Sequence, residues 1–199
     1  MHEYYRLQNE SRTDKIDANI KNWLNIFNLG EQIKVERVSN AGFNLSIIKG
    51  GKEIGLADFG NGEANLISLI LQITILSHEE DEYRNRPELY LIEEPELYLH
   101  PDWQSKLADF FIESSNELDI QYIIETHSEY LIRKFQLLIA KKIIKPDKIS
   151  CYYLDKNPDK KAIRIKFRED GIAENDFGPG FFDESTKLTI DLISWQSEN

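Results

Sequence analysis

The segment that most constrains this chain is the apolar run LYLI at residues 89–92, which breaks off on two adjacent carboxylates, Glu93 and Glu94, followed by Pro95 and a third acid, Glu96. A second apolar run, at 120–124, ends on ETHS, which contains His127. Between them a helix is predicted from Pro101, with proline in its first turn and Trp103, Leu107, Phe110 and Phe111 on one face. Strand, helix and strand in this order make a βαβ unit, so the two strands are predicted to be parallel with a right-handed crossover. Their continuous apolar runs predict cover on both faces. Open α/β sheets collect their chemistry beyond the carboxyl ends of parallel strands. Glu93, Glu94 and His127 are therefore expected along one edge of one sheet.

The rest of the chain supplies the frame. Ile16, Ile20, Trp23, Leu24 and Phe27 recur at helical spacing within 13–29, and Gly30 is the stop. Residues 33–59 read as strands, with Gly50 and Gly51 turning FNLSIIK back into KEIGLADF as a hairpin. The GGK at that turn lacks the G-x-x-x-x-G-K-[ST] spacing of a phosphate loop. A helix over 63–78 is apolar nearly all round and is expected to be buried. The charged run HEEDEYRNRP after it reads as a solvated loop. Another helix is expected from near Ser128, then strands in KISCYYL and KAIRIKF, and a short helix over 187–195. The organisation expected is one domain over 1–199: a helix and hairpin region at 13–60, a core at 61–155, and a terminal strand and helix at 156–199.

Net charge and cysteine count exclude several functions. A formal charge of −11 argues against a chain that grips DNA phosphates over a broad face by itself. The basic residues Arg133, Lys134, Lys141, Lys142, Lys145 and Lys148 read as a solvated helix end, with contact to DNA or an acidic partner as the other reading. The one cysteine, Cys151, cannot form an internal disulfide and reads as a small core residue in a strand. The first residues carry no apolar core of a signal peptide, and no apolar run reaches the ~20 residues that span a bilayer. The expected location is cytoplasmic.

Two neighbouring carboxylates repel unless a cation or a proton separates them. Magnesium does so while keeping several waters, taking one or two carboxylates plus substrate phosphates. A second carboxylate is then free to polarise water for attack on a phosphate.

With these residues in view, LYLIEEPELYLHP resembles the Walker B segment of ABC-type AAA ATPases, in the bacterial branch with the SMC-like and OLD-like proteins. The resemblance implies that Glu93 holds Mg²⁺ through water and Glu94 orients the water that attacks ATP. The family usually has Asp where this chain has Glu93. IIETHS resembles the family's switch-histidine segment, which implies that His127 contacts the γ-phosphate. DFGNGEANLISLI, residues 58–70, resembles the signature segment, with Asp58, Gly60 and Gly62 as the nucleotide-binding positions, acting on nucleotide held by an opposite protomer. It departs from the common Ser-Gly-Gly form at Asp58 and Glu63. The tail DGIAENDFGPGFFDES resembles the end of bacterial AAA-type ATPases, many linked to phage defence. The fold implied is an α/β, parallel-sheet, C-terminal lobe of an ABC-type ATPase, with a β-hairpin and an N-terminal helix.

No P-loop occurs in the sequence. The resemblance therefore implies half of an ATPase, which needs a P-loop lobe or subunit and works as a homo- or heterodimer. Two other readings remain open. One is a non-catalytic interaction module or regulator that pairs with a complete ATPase. The other is a metal-dependent hydrolase using Glu93, Glu94, Glu96, His100 and His127, with Glu96 and His100 one helical turn apart.

Overall fold

The computed structural model describes residues 4–6, 14–39, 42–76, 88–155, 162–178 and 180–198. They fall into two compact units, Met1–His127 and Ser128–Asn199. The charged run at 78–87 lies outside the described residues.

In the first unit, helix α1 (Asp14–Ile26) buries Ile16, Ile20, Trp23 and Leu24. It packs on strand β1 (Gln32–Ser39) and on helix α2 (Asn61–Leu76). Strand β1 pairs antiparallel with β2 (Gly42–Lys49), which pairs antiparallel with β3 (Lys52–Gly55). Gly50 and Gly51 close the second hairpin at φ 57° and 75°. Two consecutive left-handed residues make the primed turn that matches strand twist, so GGK is a hairpin turn as its sequence predicts.

Helix α2 buries Leu66, Ile67, Ile70, Leu71, Ile73 and Ile75, as expected of a segment apolar nearly all round. Strand β4 (Glu88–Glu93), helix α3 (Pro101–Leu118) and strand β5 (Ile120–Glu125) form the βαβ unit. β4 and β5 are parallel, in register from Glu88 opposite Ile120 to Glu93 opposite Glu125. Helix α3 buries Leu107, Ala108, Phe110 and Phe111. The Phe110 ring meets Trp23 edge-on at 4.9 Å, and Trp103 meets Phe27 edge-on at 6.2 Å. The turn from α3 into β5 is held by Asp119 in the left-handed region (φ 53°) and by the Ser115 hydroxyl, which donates to the Ile120 carbonyl at 2.6 Å. Tyr122 of β5 shares a 2.8 Å hydrogen bond with Ser114, and burial pushes its phenol up to about 12.

One expectation fails here. The β4–β5 strands are not covered on both faces: Leu89, Leu91 and Ile123 are 55%, 73% and 54% exposed. Burial alternates along both strands, so one face packs under α3 and the other stands open. The apolar run does describe a strand that can be buried twice, but the described chain supplies one layer. A two-stranded parallel sheet is the observed extent of β4–β5.

In the second unit, Ser128 caps helix α4 (Glu129–Ala140), its hydroxyl accepting the Leu131 N–H. Strands β6 (Cys151–Tyr153) and β7 (Ile163–Ile165) pair antiparallel. Ile139, Ile165 and Phe167 form a small core, bordered by Cys151, Tyr153 and Phe177. Tyr153, Phe177, Phe181 and Phe182 cluster nearby, and the Arg133 guanidinium lies 4.1 Å over the Phe182 ring. Arg133 also pairs with Glu129, while Lys141, Lys142, Lys145 and Lys148 are exposed at and beyond the end of α4. Helix α5 (Glu184–Glu198) leaves Leu188, Leu192 and Ile193 exposed.

Cys151 is half-buried, as its place in a strand predicts. Burial raises its thiol from 9.0 to about 11. The neutral thiol is thus favoured by folding, and this contribution is full below pH 9 and fades as pH rises towards 11. Alkylation by iodoacetamide at pH 8 is expected to be slow in the native chain and at least ~10-fold faster in urea, followed by mass spectrometry.

Candidate functional site

The site is built where β4 and β5 end. Parallel strands share evenly spaced hydrogen bonds, and this ladder runs one residue past β4: the Glu94 N–H donates to the Glu125 carbonyl at 2.9 Å. There the backbone turns. Glu94 adopts φ 44°, a left-handed conformation that an L-residue with a side chain rarely takes. Its carbonyl swings into the turn and accepts the Leu97 N–H at 3.0 Å, and the Glu96 carbonyl accepts the Leu99 N–H at 2.9 Å. Pro95 has no N–H to extend the ladder. The acid pair therefore sits on a tight, internally bonded turn, not on a free loop.

That turn brings Glu94 to His127. The His127 imidazole Nε2 lies 3.5 Å from Glu94 Oε1, within ion-pair reach and long for a hydrogen bond. The Glu94 side chain is 43% exposed and the His127 side chain 75% exposed. Both can thus meet a ligand from solvent. Glu93, one residue earlier, lies on the open face of the sheet with Leu89 and Leu91. It is exposed, and it is Glu94, not Glu93, that reaches His127. Opposite it on β5 stands Glu125, also exposed, a fourth carboxylate at this edge.

Glu96 has a different place from the one its spacing suggests. It and His100 are not on a helix face together. Glu96 is buried in the turn, and its Oε1 accepts the His127 backbone N–H at 2.6 Å. His100 caps α3, its Nδ1 accepting the Asp102 N–H at 3.4 Å. Glu96 lies in the turn after β4, and His100 stands just before the first residue of α3. Among the described residues, no group of three His, Cys, Asp or Glu is arranged to hold a metal ion by itself.

The glycine pair opens α2. Gly60 precedes the helix, and its N–H donates to Glu63 Oε2 at 3.1 Å while its carbonyl accepts the Ala64 N–H at 2.9 Å. Glu63 thus closes half of a capping box, which explains a carboxylate at a helix start. Gly62 is buried against the turn after β4: a Cβ there would lie 2.4 Å from the Tyr98 carbonyl oxygen. Its lack of a side chain serves the close approach of two backbone segments. Asp58 is exposed at the end of a 3-10 turn (Leu56–Asp58). Gly60, Asn61, Gly62 and Glu63 line one side of an open groove of about 330 Å³, and Tyr98, His100 and Trp103 line the other. The signature-like helix start and the turn after β4 are therefore neighbours in one chain.

A family model for the AAA ATPase domain matches residues 6–132, which include the acid pair, the glycine pair and His127. The chain belongs to the AAA ATPase domain family. A probable ATPase of retron Vc95 from Vibrio cholerae serotype O1 biovar El Tor is 30% identical over 106 residues, which are 51% of this chain and 20% of that protein. This AAA ATPase domain thus spans one fifth of that relative's length. Among solved structures, a chain from work on ATP-driven dimerization and DNA-stimulated activation of SMC ATPases aligns over 96% of each chain, with a TM-score of 0.51 and 14% identity. An Smc head bound to the C-terminal winged-helix domain of ScpA has a TM-score of 0.51 at 16% identity, over 82% of this chain and 42% of that one. The Smc head with an extended coiled coil, bound to the C-terminal domain of ScpA from Pyrococcus furiosus, scores 0.50 at 15% identity, over 92% and 39%. At such identities the likeness is one of fold, and it is the SMC-like ATPase fold that the motifs imply.

The sequence offered Glu93, Glu94, His127, Asp58, Gly60 and Gly62 as site residues; it did not reveal that Glu96 accepts the His127 amide or that Glu125 stands opposite Glu93. Register alone would have paired Glu125 with Glu93, since both close their strands.

Two outcomes follow from this geometry. Gly62→Ala is expected to lower stability by about 1–3 kcal/mol in urea unfolding, because its methyl meets backbone. Glu94→Gly is expected to be about 1 kcal/mol more stable than Glu94→Ala, since both lose the carboxylate and only glycine takes φ 44° without strain.

Proposed function

We propose that this AAA ATPase domain binds and hydrolyses ATP as one half of a composite site, completed by a P-loop lobe supplied by another segment or chain. The observation that carries the hydrolytic reading is the Glu94–His127 pair, 3.5 Å apart at the carboxyl ends of two parallel strands. Glu94 is the base that orients and polarises the attacking water. His127 would contact the terminal phosphate and stabilise its charge. Glu93 is an exposed oxygen donor, with Glu125 opposite, and carboxylate oxygens suit magnesium. Bound magnesium would neutralise phosphate charge; Glu93 would hold it through water. The α2 start at Gly60 and Gly62, with Asp58 before it, would face nucleotide on an opposite protomer in a dimer.

The need for a second lobe is supported by the open sheet face. Parallel sheets are covered on both faces almost without exception, and here Leu89, Leu91 and Ile123 stand in solvent. A covering lobe would bury these residues and bring its phosphate loop to the same strand ends. With a net charge of −11, partners are protein rather than DNA held directly. We place the protein in the defence-linked bacterial branch its motifs resemble, with OLD-like relatives. No described helix is long and apolar enough to cross a membrane.

A second reading, a non-catalytic module that pairs with a complete ATPase, is favoured by the exposed apolar residues of β4, β5 and α5. The two readings separate on one experiment. The chain is mixed with a P-loop lobe from the same gene neighbourhood, and phosphate release from ATP is measured. Hydrolysis that falls at least ~100-fold in Glu94→Gln supports the composite site. Complex formation with turnover indifferent to Glu94→Gln supports the non-catalytic module. Leu91→Asp is expected to leave the stability of the isolated chain within about 0.5 kcal/mol and to abolish assembly with the lobe, read by gel filtration.

A further inference from the structure

We propose that Glu96 is the positioning residue of this site: by accepting the His127 amide, its carboxylate sets the reach of the His127 imidazole to the Glu94 carboxylate. The inference rests on the functional reading above for its consequence in catalysis, and on geometry alone for the positioning itself.

The derivation starts from the ladder. With Glu93 opposite Glu125, the Glu94 N–H donates to the Glu125 carbonyl. In an evenly spaced parallel ladder the next donor is the His127 N–H, and its regular acceptor is the Glu94 carbonyl. That carbonyl has been turned away by the left-handed Glu94 backbone and is taken by Leu97. The His127 amide is left without its ladder partner at the one point where the imidazole must be held. Glu96 Oε1 takes its place, accepting the His127 N–H at 2.6 Å.

Burial argues that the acid is kept for this bond. Glu96 is 7% exposed, and its Oε2 has no hydrogen-bond partner among the described residues. A buried carboxylate with one oxygen unmet costs stability, and an apolar side chain of equal volume often replaces such a group without loss. Among the described residues, the His127 amide is the group that uses this carboxylate as its acceptor. Two links therefore tie the ends of β4 and β5, one through Glu94 backbone and one through Glu96 side chain. They fix both partners of the Glu94–His127 pair relative to one another.

The test has two arms, each run on the native sequence, Glu96→Gln, which keeps an acceptor, and Glu96→Met, which keeps volume and removes it. In the chain by itself, NMR follows exchange of the His127 amide and the shift of the imidazole Hε1 on adding Glu94→Gln. The native chain and Glu96→Gln are expected to protect the amide and to show the ring responding. Glu96→Met is expected to exchange at least ~10-fold faster, with a ring indifferent to Glu94→Gln and an unchanged thermal midpoint. A ring that still responds in Glu96→Met overturns the proposal. In the second arm the chain is completed by its P-loop lobe. Glu96→Met is expected to lower kcat about 10- to 100-fold with KM nearly unchanged, and Glu96→Gln to restore most of it. Native-like kcat in Glu96→Met overturns the catalytic consequence. A native mixture with no turnover counts against the composite ATPase and leaves the first arm to decide the positioning.

Discussion

Everything at this site depends on one parallel pairing, β4 against β5, and on how it stops. A parallel ladder carries side chains from two sequence-distant segments to the same edge in fixed register. Here it carries Glu93 to Glu125 and, one step on, Glu94 to the loop that holds His127. The ladder ends because Glu94 takes a left-handed turn and Pro95 has no N–H to offer. A turn that strains one residue is stable only when its surroundings over-determine it. The bonds from Leu97 and to Glu125, and the burial of Glu96 and Leu99 beneath, do this.

Packing on one side of the sheet and exposure on the other give the unit its character. Helix α3 covers one face, with Phe111 and Ser114 against Tyr122, and the aromatic contacts of Trp23 with Phe110 and of Phe27 with Trp103 tie α1 to the same layer. The opposite face presents leucine, isoleucine and carboxylate side by side. Apolar residues at that density on a parallel sheet make an interface surface, with acids at the end where a charged ligand would lie. A composite ATPase gives such a surface a purpose, since assembly would bury the hydrophobic rows and bring phosphate chemistry to the acids in one event.

At the start of α2 two structural demands meet. Gly62 is needed because the Tyr98 carbonyl passes too close for any side chain, and Glu63 is needed because it caps the helix. Neither role requires nucleotide. The same packing sets the helix start beside the turn that follows the acid pair.

What the sequence determined by itself is the local grammar. Apolar periodicity placed α1, α2 and α3, the paired glycines fixed the hairpin turn, and the apolar runs that stop at Glu93 and shortly before His127 located the ends of β4 and β5. These follow from short-range physics: side-chain spacing, the φ range of glycine, and the missing N–H of proline. Tertiary structure alone decided the rest. An apolar run such as LYLI cannot reveal whether its second face is covered, because that depends on a layer absent from its own neighbourhood. Glu96 reads as one more acid until the loop after β5 arrives beside it, and only then does its carboxylate become the acceptor for the His127 amide. The sequence spells out which groups can bond; the ladder register and the turn at Glu94 choose which of them meet.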